Sequence, residues 1–580
     1  MGGWTHGVMA WEGKWSAPKL PAVCDRDETT LSFLIAIGEQ LEAAGETVVL
    51  EELRDGTPQA TGRDLLALIA QARTFLRSKK LNRGDRCALL GANTIHWVAM
   101  DLAVISEGLI VVPLYSRQTP TELVAMMKDC SPSLVCHEDA ALRDRVREAW
   151  PDVPPQCLFE EIFRTQASAS LDKPLLGESD PVAIIYTSGT AGEAKGVVLT
   201  AGNVGHILEC TSGRLDLLMK KGPAQDRVYQ YAPLCFAAAW ITLLTSLLRC
   251  SLLMLNMDLS KLANEIRGLA PDYFVNVPAL LERMRRAVDE QLAKNGGFQL
   301  SIYSHAQAAW LRTQETRASF GDQIWLGLAK ALVFPIIRKK MIGTNLKALI
   351  CGSAPLRRET QLYFMMLGIP VLQVYGLTET TAICTMDDPR HVDPGRVGPA
   401  IDGIEMKLVD NEILVRGPNV FAGYWHRPQE TAKVLRDGWL HTGDQGEVNQ
   451  AGNWRIVGRV KDLIILSSGH NIAPQPMEDL LLRNLPGAQQ VVVVGNGRAY
   501  LTVLVTGSVT GAQVQTAIDG LNPSLPHYKQ IRAFHVCHEV FSIENGLITT
   551  NGKLRRDVIA TELKKEIEDM YAMRQAVRAG

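Results

Sequence analysis

VAIIYTSGTAGEAKGVVLT, residues Val182 to Thr200, is the stretch on which the reading of this chain turns. Val182 to Tyr186 is a short apolar run, consistent with a buried strand. Thr187, Ser188, Gly189, Thr190, Ala191, Gly192 and Glu193 then predict a turn rich in hydroxyls and glycine, ending near Lys195. Glycine permits close approach and positive φ, so such a turn can aim N–H and hydroxyl groups at phosphate oxygens. Lys195 adds a positive charge. The loop is not a Walker A motif, which needs Gly-Lys-[Ser/Thr]; here Lys195 sits between Ala194 and Gly196. Taken alone, the segment also fits a plain loop.

Upstream, helix and strand patterns alternate. Leu65, Leu68, Ile69, Ala72, Phe75 and Leu76 lie at helical spacing between Thr61 and Arg77, with Thr61 and Asp64 as a capping box. A strand over Cys87 to Leu90, a helix from Thr94, a stop at Gly108 and a strand over Leu109 to Leu114 follow. A helix from Pro120 and a strand near Ser133 to Cys136 continue the βαβα order, which predicts parallel sheets flanked by helices. Downstream, Glu412 to Asn453 changes to short strands and many turn residues. Beyond Val460 come a strand, a helix from Pro476, strands at Val491 to Gly495 and Leu501 to Val505, and a charged helix over Arg556 to Arg574. We place a domain boundary near Gly458, giving units 1–458 and 459–580.

The 580 residues carry 60 Lys and Arg against 62 Asp and Glu, which gives no bulk attraction to nucleic acid. Eleven cysteines without a CxxC suit a reducing cytosol better than a zinc site, and the start lacks a secretory signal pattern. A cytoplasmic enzyme is expected. IWLGLAKALVFPIIRKK, Ile324 to Lys340, predicts a buried helix with a solvated basic end; the alternative is peripheral contact with a lipid surface on the inner membrane face.

The Val182 to Thr200 stretch resembles the phosphate loop of the adenylate-forming superfamily, and six further segments match in order. CGSAPL, with Gly352, Ser353 and Ala354, resembles its adenine-side loop. VYGLTET resembles its signature: Tyr375 beside adenine, Gly376 in the turn, Thr378 at phosphate and Glu379 on magnesium. FAGYWHRPQET and GWLHTGDQG match two adjacent segments, with Asp444 on the ribose hydroxyls. In GRVKDLIILSSGHNIAPQPME, Arg459 also holds ribose, Lys461 is the hinge, and Ser468, Gly469 and His470 line the route of the CoA thiol. In FSIENGLITTNGKLRR, Lys553 is the catalytic lysine; the wording here and in NIAPQPME leans toward long-chain fatty acyl-CoA synthetases.

The resemblance implies an α/β fold: a large N-terminal domain of parallel sheets with a small distorted β-barrel, and a small mobile α+β C-terminal domain. It implies ATP and CoA as co-substrates and Mg²⁺ on Glu379 and Thr190, with Lys553, Thr190 and Glu379 as the catalytic set. The acid becomes an acyl-AMP and then a thioester. One departure is Phe236, in APLCFAAAW, where relatives often carry histidine; Phe236 and Trp240 are acyl-pocket candidates, Trp240 equally a core residue. Rival readings are a ligase that loads a carrier protein and a non-catalytic nucleotide-binding scaffold.

Overall fold

The computed structural model describes residues 33–167, 176–188, 194–220, 225–314, 319–542, 544–549 and 553–579. Two largely parallel sheets dominate. The larger has eight strands, with Val48–Leu53, Leu252–Asn256, Arg227–Gln230, Tyr273–Asn276, Ala348–Cys351 and Val371–Tyr375 running parallel in that spatial order. The other has seven, with Gln156–Leu158, Leu134–His137, Arg86–Gly91, Ile110–Tyr115 and Pro181–Ser188 parallel. Such strands are covered on both faces, so they read as continuous apolar runs; all five residues of Leu252–Asn256 are buried.

Between the sheets the helices are apolar nearly all round. Ile95–Ser106 and Ala237–Leu248 bury most of their residues and share one core with strands of both sheets. The expected capping box is present at helix Gly62–Ser78: the Asp64 N–H donates to Thr61 Oγ1 at 3.1 Å, and the Thr61 N–H to Asp64 at 3.0 Å.

A five-stranded antiparallel sheet built from residues between Glu405 and Arg459 stands where the barrel is expected. The C-terminal unit is a three-stranded sheet, Ala488–Val494, Leu501–Gly507 and Ile531–Val536, with helices Pro474–Arg483 and Gly511–Leu521 and its own core. Strand Trp454–Arg459 pairs within the five-stranded sheet, so Arg459 sits with the larger unit; beyond it, described residues of the C-terminal unit reach that unit in the ion pairs Arg357–Asp479 at 3.9 Å and Arg483–Glu359 at 3.2 Å.

Three local expectations change. The charged C-terminal helix is two helices, Arg556–Glu562 and Lys564–Ala579, broken at Leu563. The helix expected from Pro476 starts at Pro474, because proline at a first helical position lacks only an N–H that would be unpaired anyway. Ile324 to Lys340 is not one buried helix. It falls in Phe320–Leu332 and Phe334–Ile342, bent by 45° at Val333, with a row of apolar side chains left in solvent.

Candidate active site

The Val182 to Thr200 segment forms an antiparallel hairpin, Pro181–Ser188 against Ala194–Thr200. Thr187 pairs with Lys195 and Ser188 with Ala194, so these residues extend the ladder instead of joining the turn. The inter-strand pairing simply runs further than a glycine count suggests. Gly189, Thr190 and the rest of the tip lie outside the described residues. Lys195 does not point a spare charge at the tip: its Nζ pairs with Glu430 at 2.6 Å and lies 5.1 Å from the Tyr424 ring centre. The Lys195 and Lys433 ammonium groups in turn hold the Glu430 carboxyl down at about 2.

Strand Val371–Tyr375 delivers Tyr375 to the site. Its hydroxyl donates to Asp444 Oδ2 at 2.9 Å, and burial beside that carboxylate raises the phenol pKa well above its usual value. Asp444 is almost fully buried and takes the Arg459 Nε–H on its other oxygen at 2.9 Å. The two residues face each other in neighbouring antiparallel strands, Trp439–Val448 and Trp454–Arg459, so the ladder itself sets the pair. Asp444 in turn holds the Arg459 guanidinium above its ordinary pKa.

After Tyr375 the chain turns sharply. A Cβ on Gly376 would sit 2.2 Å from the Ala382 carbonyl oxygen, so only glycine fits this turn. A short 3₁₀ turn, Thr378–Thr380, then presents Glu379, whose Oε1 accepts the Tyr424 hydroxyl proton at 2.8 Å. Gly352 packs equally tightly: a Cβ there would meet Val374 at 2.6 Å. Ser353 follows with a φ of 70°, and Ser353 and Ala354 are exposed at the end of strand Ala348–Cys351.

Lys553 comes from the C-terminal unit. Surrounding protein and the Arg459 guanidinium hold its ammonium below the ordinary lysine pKa, while Asp444, Glu379 and Asp462 pull the other way. The side chain still has open surface. The exposed Lys553 cation therefore lies within electrostatic reach of Glu379, Asp444 and Arg459 of the larger unit.

A profile of the AMP-binding enzyme family matches residues 39–425, and its C-terminal domain matches residues 461–575. The chain belongs to the AMP-binding enzyme family. Among curated relatives of this AMP-binding enzyme are the long-chain-fatty-acid–CoA ligase FadD15 of Mycobacterium bovis and long-chain-fatty-acid–CoA ligase 6 of Homo sapiens. The first is 26% identical and covers 90% of this chain and 94% of its own; the second is 29% identical and covers 83% and 78%. A solved structure, ATP-bound MatB from Rhodopseudomonas palustris, shares the fold at a TM-score of 0.70. It is 22% identical and covers 92% of this chain and 99% of its own. ATP-dependent adenylate formation is the chemistry of this family.

Lys461 is exposed in the turn after strand Trp454–Arg459. Gly469 has a φ of 81° in the turn between Ser468 and His470. Ser468 Oγ and His470 Nδ1 are 2.9 Å apart, and the His470 ring stacks on Tyr528. Phe236, half-buried, sits 5.8 Å from the Tyr115 ring at the start of helix Ala237–Leu248. Trp240 has no exposed surface and donates its indole N–H to Asp101 at 3.0 Å. Tyr424 and Glu430, both in FAGYWHRPQET, join the site through contacts with Glu379 and Lys195 that lie 45 and 235 positions away, so no local pattern in the sequence signals them.

Among the described residues no three His, Cys, Asp or Glu side chains cluster as a metal cage. The residues nonetheless fit Mg²⁺ delivered with ATP. Mg²⁺ keeps several waters and phosphate oxygens and asks the protein for one or two carboxylates. Glu379, half-buried and fixed by Tyr424, is such a carboxylate.

Proposed function

We propose that this chain activates a long-chain fatty acid as acyl-AMP and transfers it to coenzyme A. The observation that carries the reading is the convergence of Tyr375, Glu379, Asp444 and Arg459 with Lys553 from the other unit. The names of the curated relatives support the fatty-acid substrate.

In the first half-reaction the acid's carboxylate attacks the α-phosphorus of ATP, and pyrophosphate leaves. No side-chain nucleophile is needed; alignment and charge stabilisation supply the rate. Asp444 and Arg459 hold the ribose, Tyr375 borders adenine, and Gly352, Ser353 and Ala354 form its other wall. Thr187, Ser188, Gly189, Thr190 and Thr378 are assigned to the phosphates by resemblance to the family's motifs. Lys553 offsets charge at the phosphorus as the new P–O bond forms. Glu379, with Thr190, would hold Mg²⁺ brought in with ATP, and the ion would supply positive charge for the pyrophosphate that leaves. In the second half-reaction the unit beyond Arg459 turns about Lys461 and withdraws Lys553. The CoA thiol enters past Ser468, Gly469 and His470, attacks the acyl carbon and expels AMP. Phe236 lines the acid pocket.

ATP–pyrophosphate exchange across acids of graded chain length, followed by addition of CoA or an acyl carrier protein, tests this. Exchange with long acids and release of acyl-CoA is expected. Absence of exchange with every acid favours a scaffold, and transfer to the carrier alone favours a carrier-loading ligase.

A further inference from the structure

Helices Gly297–Thr313 and Phe320–Leu332 lie against each other, the His305 and Trp325 rings stacked 4.4 Å apart and Arg312 paired with Asp322. The outward side of Phe320–Leu332 inverts the usual pattern. Phe320 is 80% exposed, Ile324 48%, Leu328 37% and Leu332 49%. Their spacing, every fourth residue, puts all four on one stripe about 20 Å long. Ile336 continues it past the bend at Val333, 42% exposed. A surface helix normally shows solvent its charged side.

Asp322, the one carboxylate on the two helices, is paired with Arg312, and the remaining charge on them is cationic. From Gln323 to Leu356 the sequence holds Lys330, Arg338, Lys339, Lys340 and Lys347 and no Asp or Glu. Lys330 and Arg338 also border a cavity of about 380 Å³ that is otherwise walled by Phe334, Pro335, Trp310 and Met365 to Gly368. It offers an apolar floor under a cationic rim.

Together the two helices have the length and apolarity of a span, but no single helix among the described residues does, and they bend by 45°. They are also fastened to protein on their inner side. Ala329, Val333, Phe334, Ile337 and Ile342 belong to the core beneath them. A half-buried, apolar-faced pair with a cationic flank suits a position in the plane of a bilayer surface, the apolar side among the acyl chains and the cations at the headgroups.

We propose that Phe320–Leu332 and Phe334–Ile342 form an interfacial docking surface for an anionic lipid bilayer, with phospholipid headgroups held between Lys330 and Arg338 and by Lys339 and Lys340. The bilayer is preferred over a second copy of the chain because the charge left on the two helices once Asp322 is paired is cationic: two copies would bring like charges together.

The test is sedimentation of the full chain with vesicles of phosphatidylglycerol and phosphatidylcholine, or phosphatidylcholine alone. Binding to the anionic vesicles that weakens with salt is expected. Ile324→Glu with Leu328→Glu abolishes it. Lys339→Gln with Lys340→Gln weakens it about 25-fold, each cation near an anionic surface being worth about fivefold. Both pairs should exchange ATP and pyrophosphate with a short, soluble acid as the parent does, which separates lost docking from lost folding. Equal vesicle binding by parent and Glu variant overturns the proposal. So does a parent dimer, split by Ile324→Glu, that ignores vesicles.

Discussion

Asp444 shows how one carboxylate is prepared by its neighbours. It is desolvated, yet the Tyr375 hydroxyl and the Arg459 guanidinium satisfy one oxygen each, which offsets the cost of burying it. Asp101 is the opposite case. It is fully buried, among the described residues the Trp240 indole N–H is its side-chain donor, and burial pushes its carboxyl up to about 7. A folded pKa above the unfolded one means that the native state keeps the proton longer. The associated stability is complete below the ordinary carboxylate range and is lost as pH rises toward about 7, at about 1.4 kcal/mol per pH unit. Asp101→Asn keeps an acceptor for the indole and has no proton to lose. Between about pH 5 and about pH 8 its denaturant midpoint should therefore fall less than that of the parent. Parallel curves for the two proteins would refute the assignment. At this scale the sequence exposed the residue types that gather at the site, because Tyr375, Glu379, Asp444, Arg459 and Lys553 sit in quotable motifs. It could not expose the partner of Lys195. Glu430 is 235 positions away, and only the fold brings them together.

At the scale of elements, helix Pro474–Arg483 is tied to the last part of the chain by one buried contact. Arg556 makes two hydrogen bonds of 2.6 Å to Glu478, which also accepts the Val493 N–H at 2.8 Å. Arg556→Met would strand a buried carboxylate and cost about 3 kcal/mol, the low end for a broken buried pair because Arg556 keeps some solvent contact. Adding Glu478→Gln should recover part of the loss. Thermal unfolding of the parent and both variants checks this, and a single variant as stable as the parent would contradict it. The parallel strands were legible as apolar runs bounded by turn residues. The Phe320 to Ile342 region was not, because periodicity reports which residues are apolar and says nothing of what covers them. Burial of Ile324 and Leu328 was the default expectation, and it is the default that fails there. The break at Leu563 was likewise hidden in a run that is helical on either side.

Across the whole molecule, Lys553 stands at the site while the ion pairs Arg357–Asp479 and Arg483–Glu359 link the two units. Both pairs keep solvent contact, so each is weak enough to be exchanged during a domain rotation. Lys461→Pro fixes one backbone torsion in the turn where that rotation is proposed. Adenylation measured by pyrophosphate release should persist, and complete turnover to acyl-CoA should fall at least tenfold. Unchanged turnover would remove Lys461 from the hinge. The central claim is that Lys553 serves the first half-reaction from the C-terminal unit and leaves for the second. Its direct test is the pair of half-reactions in Lys553→Ala. The account predicts a loss of about 10²-fold or more in acyl-AMP formation, typical for removing one group that stabilises developing charge, with thioester formation from supplied acyl-AMP nearly intact. Equal loss in both steps, or none in the first, would contradict it.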